Sequence, residues 1–214
     1  MPRESKTTIL DYLKGRILNF SLLPGVKISD EETAKVFGTS RSPVREALNR
    51  LVEQGLVESR PNRGFTVKVF TRKEVEDHYM LREALECLAV RLATQSMDTK
   101  KIKSLEDLLA TYPAIMKSED IARFNEFDER FHDLIALYSN NVALHRALQN
   151  LHGIIRVIRR YDHIRVGSFQ DTFEEHQLIL KHMVRKDIER AVKLMSSHIL
   201  NSMKLVMRIV PEQS

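Results

Sequence analysis

Apolar residues recur at helical spacing between Thr8 and Phe20, at Ile9, Leu10, Leu13, Ile17 and Leu18. Leu23-Pro24-Gly25 then reads as a turn. Ser29-Asp30-Glu31-Glu32 is a helix start, a capping residue followed by acids in the first turn, and Gly38-Thr39 ends that helix. The next helix opens at once with Ser40-Arg41-Ser42-Pro43. Ser40 is placed to cap, and Pro43 falls in the first turn, where its missing N–H costs nothing. Its inward stripe is Val44, Ala47, Leu48 and Leu51, and Gly55 closes it. Two short β runs, 56–60 and 65–69, flank Pro61-Asn62-Arg63-Gly64 and predict a hairpin.

Past residue 72 the pattern changes. No strand alternation remains, and capping residues divide the chain into six amphipathic helices. The first spans 72–95 after Thr71, and the second 99–117 after Asp98. The third is 119–138 after Ser118, and the fourth 142–165 after Asn140-Asn141. The fifth is 169–185 after Gly167-Ser168, and the last 188–209 after Asp187. The predicted fold is therefore mainly α. A winged helix-turn-helix domain occupies residues 1–70, a linker 71–74, and an all-α six-helix bundle 75–214.

Charge separates the same two parts. Residues 1–75 hold 14 Lys/Arg against 9 Asp/Glu, while residues 76–214 hold 20 of each, so the first part carries the whole net charge of +5. That surplus points to a polyanion partner for the N-terminal part and a different task for the rest. A single cysteine, Cys87, excludes an intrachain disulfide, and no transmembrane or secretory pattern is present. A cytoplasmic protein without a membrane partner is expected.

In helix-turn-helix geometry the N-terminal residues of the second helix meet base edges in the major groove. Here those residues are Ser40, Arg41, Ser42 and Arg45. The planar fork of Arg matches guanine O6 and N7, and the serines can donate to bases or phosphate. Arg63 and Gly64, at the hairpin tip, fit a wing lying along the minor groove.

Residues 40–57, Ser-Arg-Ser-Pro-Val-Arg-Glu-Ala-Leu-Asn-Arg-Leu-Val-Glu-Gln-Gly-Leu-Val, resemble the winged helix-turn-helix of the GntR family of bacterial transcription regulators. The downstream Pro-Asn-Arg-Gly-Phe-x-Val and the upstream Leu-Pro-Gly-x-x-Ile agree. The resemblance implies operator binding, with Arg41 and Arg45 on bases and Gly64 at the wing tip. Two positions depart from it: Thr33, where the family usually shows Leu, and Glu31, where some members carry a basic residue.

Candidate chemistry in the second part lies on three helices. Asp128 and His132 are four residues apart and share a helical face with Phe124, Phe131 and Ile135. The fifth helix carries His176 in the stripe Phe169, Phe173, Leu180, Met183. The sixth carries His198 among Ala191, Leu194, Ser202 and Leu205. An unpartnered acid in a core is costly, and a divalent metal would neutralise it while taking imidazole nitrogens. Hydrogen-bonded core histidines are the plainer alternative.

Phe-Asp-x-x-Phe-His at 127–132, Glu-Glu-His-x-x-Ile at 174–179, His198 and Leu81-Arg82-x-x-Leu-Glu86 resemble the FCD effector domain, which follows the winged helix in the FadR subfamily of GntR regulators. That resemblance implies Asp128, His132, His176 and His198 as ligands of a divalent metal, for which Zn, Ni and Mn all suit. Six helices rather than seven suggest its VanR-like branch. Arg82 shares a stripe with Leu85, Ala89 and Leu92. It fits either a structural ion pair or a clamp for a carboxylate effector. The remaining histidines, His78, His145, His152, His163 and His182, match no ligand pattern and are expected in surface or packing roles, with His78 one turn before Arg82.

The expected function is a ligand-responsive transcription regulator, a repressor, acting as a homodimer on a palindromic double-stranded DNA operator. A metal and a small organic acid effector would occupy the helical domain. A purely structural metal is one alternative. A metal-dependent enzyme is another, but Glu129 and Glu175, the candidate bases, adjoin ligands and point about 100° away from them on a helix. No catalytic residue is therefore assigned.

Overall fold

The computed structural model describes residues 8–61, 63–118, 121–159, 169–208 and 210. The chain divides into two compact units, Met1–Phe70 and Thr71–Ser214.

In the first unit, α1 (Ile9–Leu18) is capped by Thr8, whose side chain accepts the Asp11 N–H, and it buries Leu13 and Ile17. Helix α2 (Asp30–Phe37) is capped by Ser29 and ends on Gly38 in the left-handed conformation (φ 59°), the geometry its glycine suits. Thr33 is buried, and its hydroxyl donates back to the Ser29 carbonyl at 2.8 Å, which satisfies the polar group where the family usually places Leu. Helix α3 (Arg41–Glu53) starts after Ser40, whose backbone is extended but whose side chain makes no cap hydrogen bond, contrary to expectation. Val44, Ala47, Leu48 and Leu51 are buried as predicted.

The hairpin is present as β2 (Val57–Arg60) and β3 (Gly64–Val67), antiparallel, with Arg60 opposite Gly64. Gly64 has φ 80°, a conformation a side chain would strain. Asn62 of the predicted turn lies outside the described residues. A third strand, β1 (Lys27–Ile28), pairs with β3 to give the order β1-β3-β2. Sequence periodicity does not detect it, because two residues show no alternation.

The second unit is helical throughout. Helix α4 (Arg72–Gln95) begins with a full capping box between Thr71 and Glu74. Residues 71–74 are thus the cap and first turn of α4 rather than a linker. The predicted helix 99–117 is two helices, α5 (Thr99–Ala110) and α6 (Tyr112–Ser118). Pro113 accounts for the break: it lacks an N–H, and its ring would clash with the Leu109 carbonyl in a continuous helix. The rest are α7 (Ile121–Tyr138), α8 (Val142–Arg159), α9 (Phe169–Val184) and α10 (Ile188–Met207). The described residues of this unit therefore form seven helices, not six, which removes the count that suggested the VanR-like branch. Predicted segments at 119–120, 160–168 and 209 lie outside the described residues, as does His163.

Helix α4 runs through the middle of the bundle, packed by α7, α8, α9 and α10. Tyr79, Ala89, Val90 and Ala93 of α4 are fully buried, as are Phe131, Leu148, Ile179 and Met195 from its neighbours. Lys186, between α9 and α10, adopts φ 59°. Its ammonium donates to the carbonyls of Thr94 (2.7 Å) and Met97 (2.9 Å), a cation placed at the negative end of α4. Among the described residues no helix is long and apolar enough to cross a membrane.

Candidate functional site

In the first unit the start of α3 and the hairpin tip present Ser40, Arg41, Ser42, Arg45, Arg63 and Gly64, all exposed. The two helix arginines are not simply solvated. Arg41 Nη2 lies 2.9 Å from both oxygens of Asp30, and Arg45 Nη1 lies 3.3 Å from Oδ2. Arg45 also rests 5.6 Å above the Phe65 ring. Partial burial raises the Asp30 carboxyl, but Arg41 and Arg45 outweigh it and hold the group below its ordinary value. Asp30 opens α2, so it ties the two helices of the motif through the side chains expected to read DNA. Glu31 pairs instead with Lys35 at 2.9 Å on the surface.

In the second unit Asp128 and His132 of α7, His176 of α9 and His198 of α10 meet, each offering one donor atom within 4.8 Å of the others. Their exposures are 1, 0, 0 and 3%. His176 Nε2 is 3.5 Å from Asp128 Oδ1, His132 Nε2 is 3.8 Å from the same oxygen, and the Nε2 atoms of His132 and His198 are 3.2 Å apart. Neither nitrogen of His176 has a hydrogen-bond partner among the described residues. An imidazole buried in that state forfeits its water, a cost of about 1–3 kcal/mol for each unsatisfied group.

The protonation states suit a cation. Burial drives the His132 imidazole down to about 4, with Arg82 assisting and Glu86 opposing. Burial, then His198, holds His176 well below the ordinary range. Both rings are thus neutral at pH 7 with a lone pair to give. Burial opposes ionisation of Asp128, but the Arg159 guanidinium overcomes it, and the carboxyl stays well below its usual range. Imidazole nitrogens with one carboxylate oxygen form a donor set for Zn, Ni or Mn. The orphaned nitrogens of His176 and this donor set fit such an ion.

Around these four stands a layer of partners that sequence reading largely missed. Arg159 of α8 donates to Asp128 Oδ2 at 2.6 Å and to Ser202 Oγ at 3.2 Å. Glu86 Oε1 of α4 lies 3.2 Å from His132 Nδ1, 2.9 Å from His152 Nε2 and 3.4 Å from Arg82 Nε. The first contact is close but poorly aligned, and His132 Nδ1 makes no well-formed hydrogen bond among the described residues. Glu175 Oε2 meets His198 Nδ1 at 2.6 Å. Arg82 is 2% exposed and in the ion pair the structural alternative foresaw, yet its Nη1 has no partner among the described residues. His152 takes the packing side of its expected surface or packing role, buried against Glu86; its inward spacing with Leu148, Leu151 and Ile155 was the available signal.

The other described histidines are engaged with nearby partners. His78 contacts the Glu74 carbonyl at 2.5 Å, His145 pairs with Asp133 at 2.8 Å, and His182 with Asp187 at 2.8 Å. Glu129 pairs with Arg156, leaving it turned from the cluster as its helical position required.

Comparison with known proteins identifies both units. Residues 5–67 match the gntR family of bacterial regulatory proteins, and residues 77–201, more than half the chain, match the FCD domain. The chain belongs to the GntR family of FCD-containing regulators. A regulator of this family from Bacillus subtilis, YdhC, is 29% identical over 203 residues, spanning 94% of this chain and 91% of the relative. The Escherichia coli repressor RspR is 26% identical over 206 residues, covering 96% and 90%. The structure of E. coli McbR/YncC shares the fold of this GntR protein, with a TM-score of 0.80, 23% identity and 94% and 95% coverage. These GntR relatives are transcription regulators and not enzymes, and the present chain is a transcription regulator with helix-turn-helix and FCD domains.

Proposed function

We propose that this GntR regulator is a repressor acting as a homodimer on a palindromic operator, and that its helical unit holds a divalent metal and a small carboxylate effector. The convergence of Asp128, His132, His176 and His198, with His176 left without hydrogen-bond partners among the described residues, carries this reading. The similarity to the repressor RspR supports the sign of regulation. An ion held by Asp128, His132, His176 and His198 would supply a Lewis acid for an effector carboxylate. Arg82, whose Nη1 has no partner among the described residues, is the side chain suited to hold the effector's other end. The effector releases DNA only insofar as it binds one arrangement of the dimer better than another. Two-fold pairing follows from the chemistry of reading: one recognition helix spans few base pairs, and a dimer reads two half-sites.

Chelation followed by titration of small organic acids tests this. Stripped protein should stay folded, lose acid binding and stop releasing labelled operator. A second reading draws on the near-complete burial of the cluster: the ion is purely structural. In that case chelation unfolds the bundle, and no acid alters DNA affinity.

The DNA face carries its own prediction. Arg41→Ala should weaken operator binding by about 1–3 kcal/mol and relax preference at one base pair of each half-site. Fluorescence anisotropy on the operator and single-base variants measures both. An equal loss on every sequence would make Arg41 a phosphate contact instead.

A further inference from the structure

Three imidazoles converge on one point, and they are not held alike. His198 faces Glu175 through Nδ1 at 2.6 Å, and His132 faces Glu86 through Nδ1 at 3.2 Å. His176 makes no hydrogen bond at either nitrogen among the described residues, with Asp128 Oδ1 standing 3.5 Å from Nε2; its ring stacks on Phe131 at 4.0 Å with planes 15° apart. A neutral imidazole has one N–H and one lone pair, and a carboxylate beside Nδ1 keeps the proton there and the lone pair on Nε2. The Nε2 atoms of His132 and His198 are the ones that face each other, 3.2 Å apart.

We propose that Glu86 and Glu175 are positioning residues: each carboxylate fixes the tautomer and ring orientation of one histidine, so that His132 and His198 present Nε2 to the divalent metal. This rests on the metal reading above. The two carboxylates reach the site from different helices, α4 and α9, and neither is one of the four donors. Glu86 is fully buried, and its Oε1 also meets His152 and Arg82. A buried carboxylate paired with a guanidinium is a poor source of stability, since an apolar side chain of like volume often serves as well. Its place against the outer nitrogen of a ligand gives it a purpose that stability does not. Glu175 is half-buried and is steadied by Asn201 Nδ2 at 3.3 Å. His176 stacks on Phe131 and has no such carboxylate at Nδ1 among the described residues.

The test uses full-length protein stripped of metal, with zinc affinity measured by competition against a chromogenic chelator. Histidine tautomers of the zinc-free protein are read from nitrogen-15 NMR. Glu86→Gln and Glu175→Ala should each weaken zinc binding by roughly 10–100-fold. Asp133→Asn, at the separate Asp133–His145 pair, should leave zinc affinity unchanged. In unsubstituted protein His132 and His198 should carry the proton on Nδ1, and Glu175→Ala should remove that preference at His198. Because Glu86 is buried, Glu86→Gln can fail to fold; Glu175→Ala, at a half-buried position, then decides the matter. Zinc affinity and His198 tautomer both unchanged in Glu175→Ala would overturn the proposal. Unsubstituted protein that takes up no zinc would sink the metal reading itself. In that case a His198 proton shifted by Glu175→Ala still supports the positioning role, and an unshifted one overturns it.

Discussion

Replacing Arg159 with Met should destabilise the metal-free helical unit by about 3–5 kcal/mol, the range for removing one partner of a buried ion pair. Arg159 donates to Asp128 Oδ2 at 2.6 Å, and Asp128 is 1% exposed. Without the guanidinium, the carboxylate must stay charged among imidazoles that are themselves deprotonated, or take up a proton. Chemical denaturation followed by circular dichroism reads the loss. The double variant Asp128→Asn/Arg159→Met removes both charges and should recover much of it, because the uncompensated charge and not the lost contact sets the cost. Zinc should also rescue the single variant in part, by neutralising the carboxylate. A loss below about 1 kcal/mol, the range of an exposed pair, would contradict this reading of Arg159.

The other large effect is expected from His132→Ala. This change removes a proposed ligand at a fully buried position, so zinc affinity should fall by more than the roughly 10–100-fold attributed to an outer partner. Glu86 loses one contact but keeps His152 and Arg82, so the bundle should still fold. DNA binding by the metal-free protein should survive, while release of operator by an organic acid should vanish. Equilibrium dialysis with zinc and anisotropy with labelled operator check the two halves. Loss of DNA binding together with the helical signal would favour the structural metal.

Much of this was legible in the sequence, for definite physical reasons. The stripe Val44, Ala47, Leu48, Leu51 and the cap at Thr71 are local signals, and local signals fixed α3 and α4. Asp128 and His132 could be placed on one face because the four-residue spacing alone dictates it. Pro113 did signal the break between α5 and α6, but Leu105, Leu109 and Tyr112 keep helical spacing up to it and mask it. The partners of the cluster were hidden for another reason: their pairings are tertiary. His152 meets Glu86 from 66 residues away, Arg159 meets Asp128 from 31, and Arg41 meets Asp30 from 11. No local pattern encodes which acid a given base will find. The resemblance to the FCD domain supplied Arg82 and Glu86 as a matched pair but not their contact.

X-ray absorption at the metal edge, on protein reconstituted with one equivalent of zinc per chain, tests the central claim most directly. The expected result is one tightly held zinc, with scattering from three imidazoles and one carboxylate at about 2.0–2.2 Å. Zinc that washes out on dialysis, or a spectrum with fewer than two imidazoles, would contradict the claim that Asp128, His132, His176 and His198 share an ion.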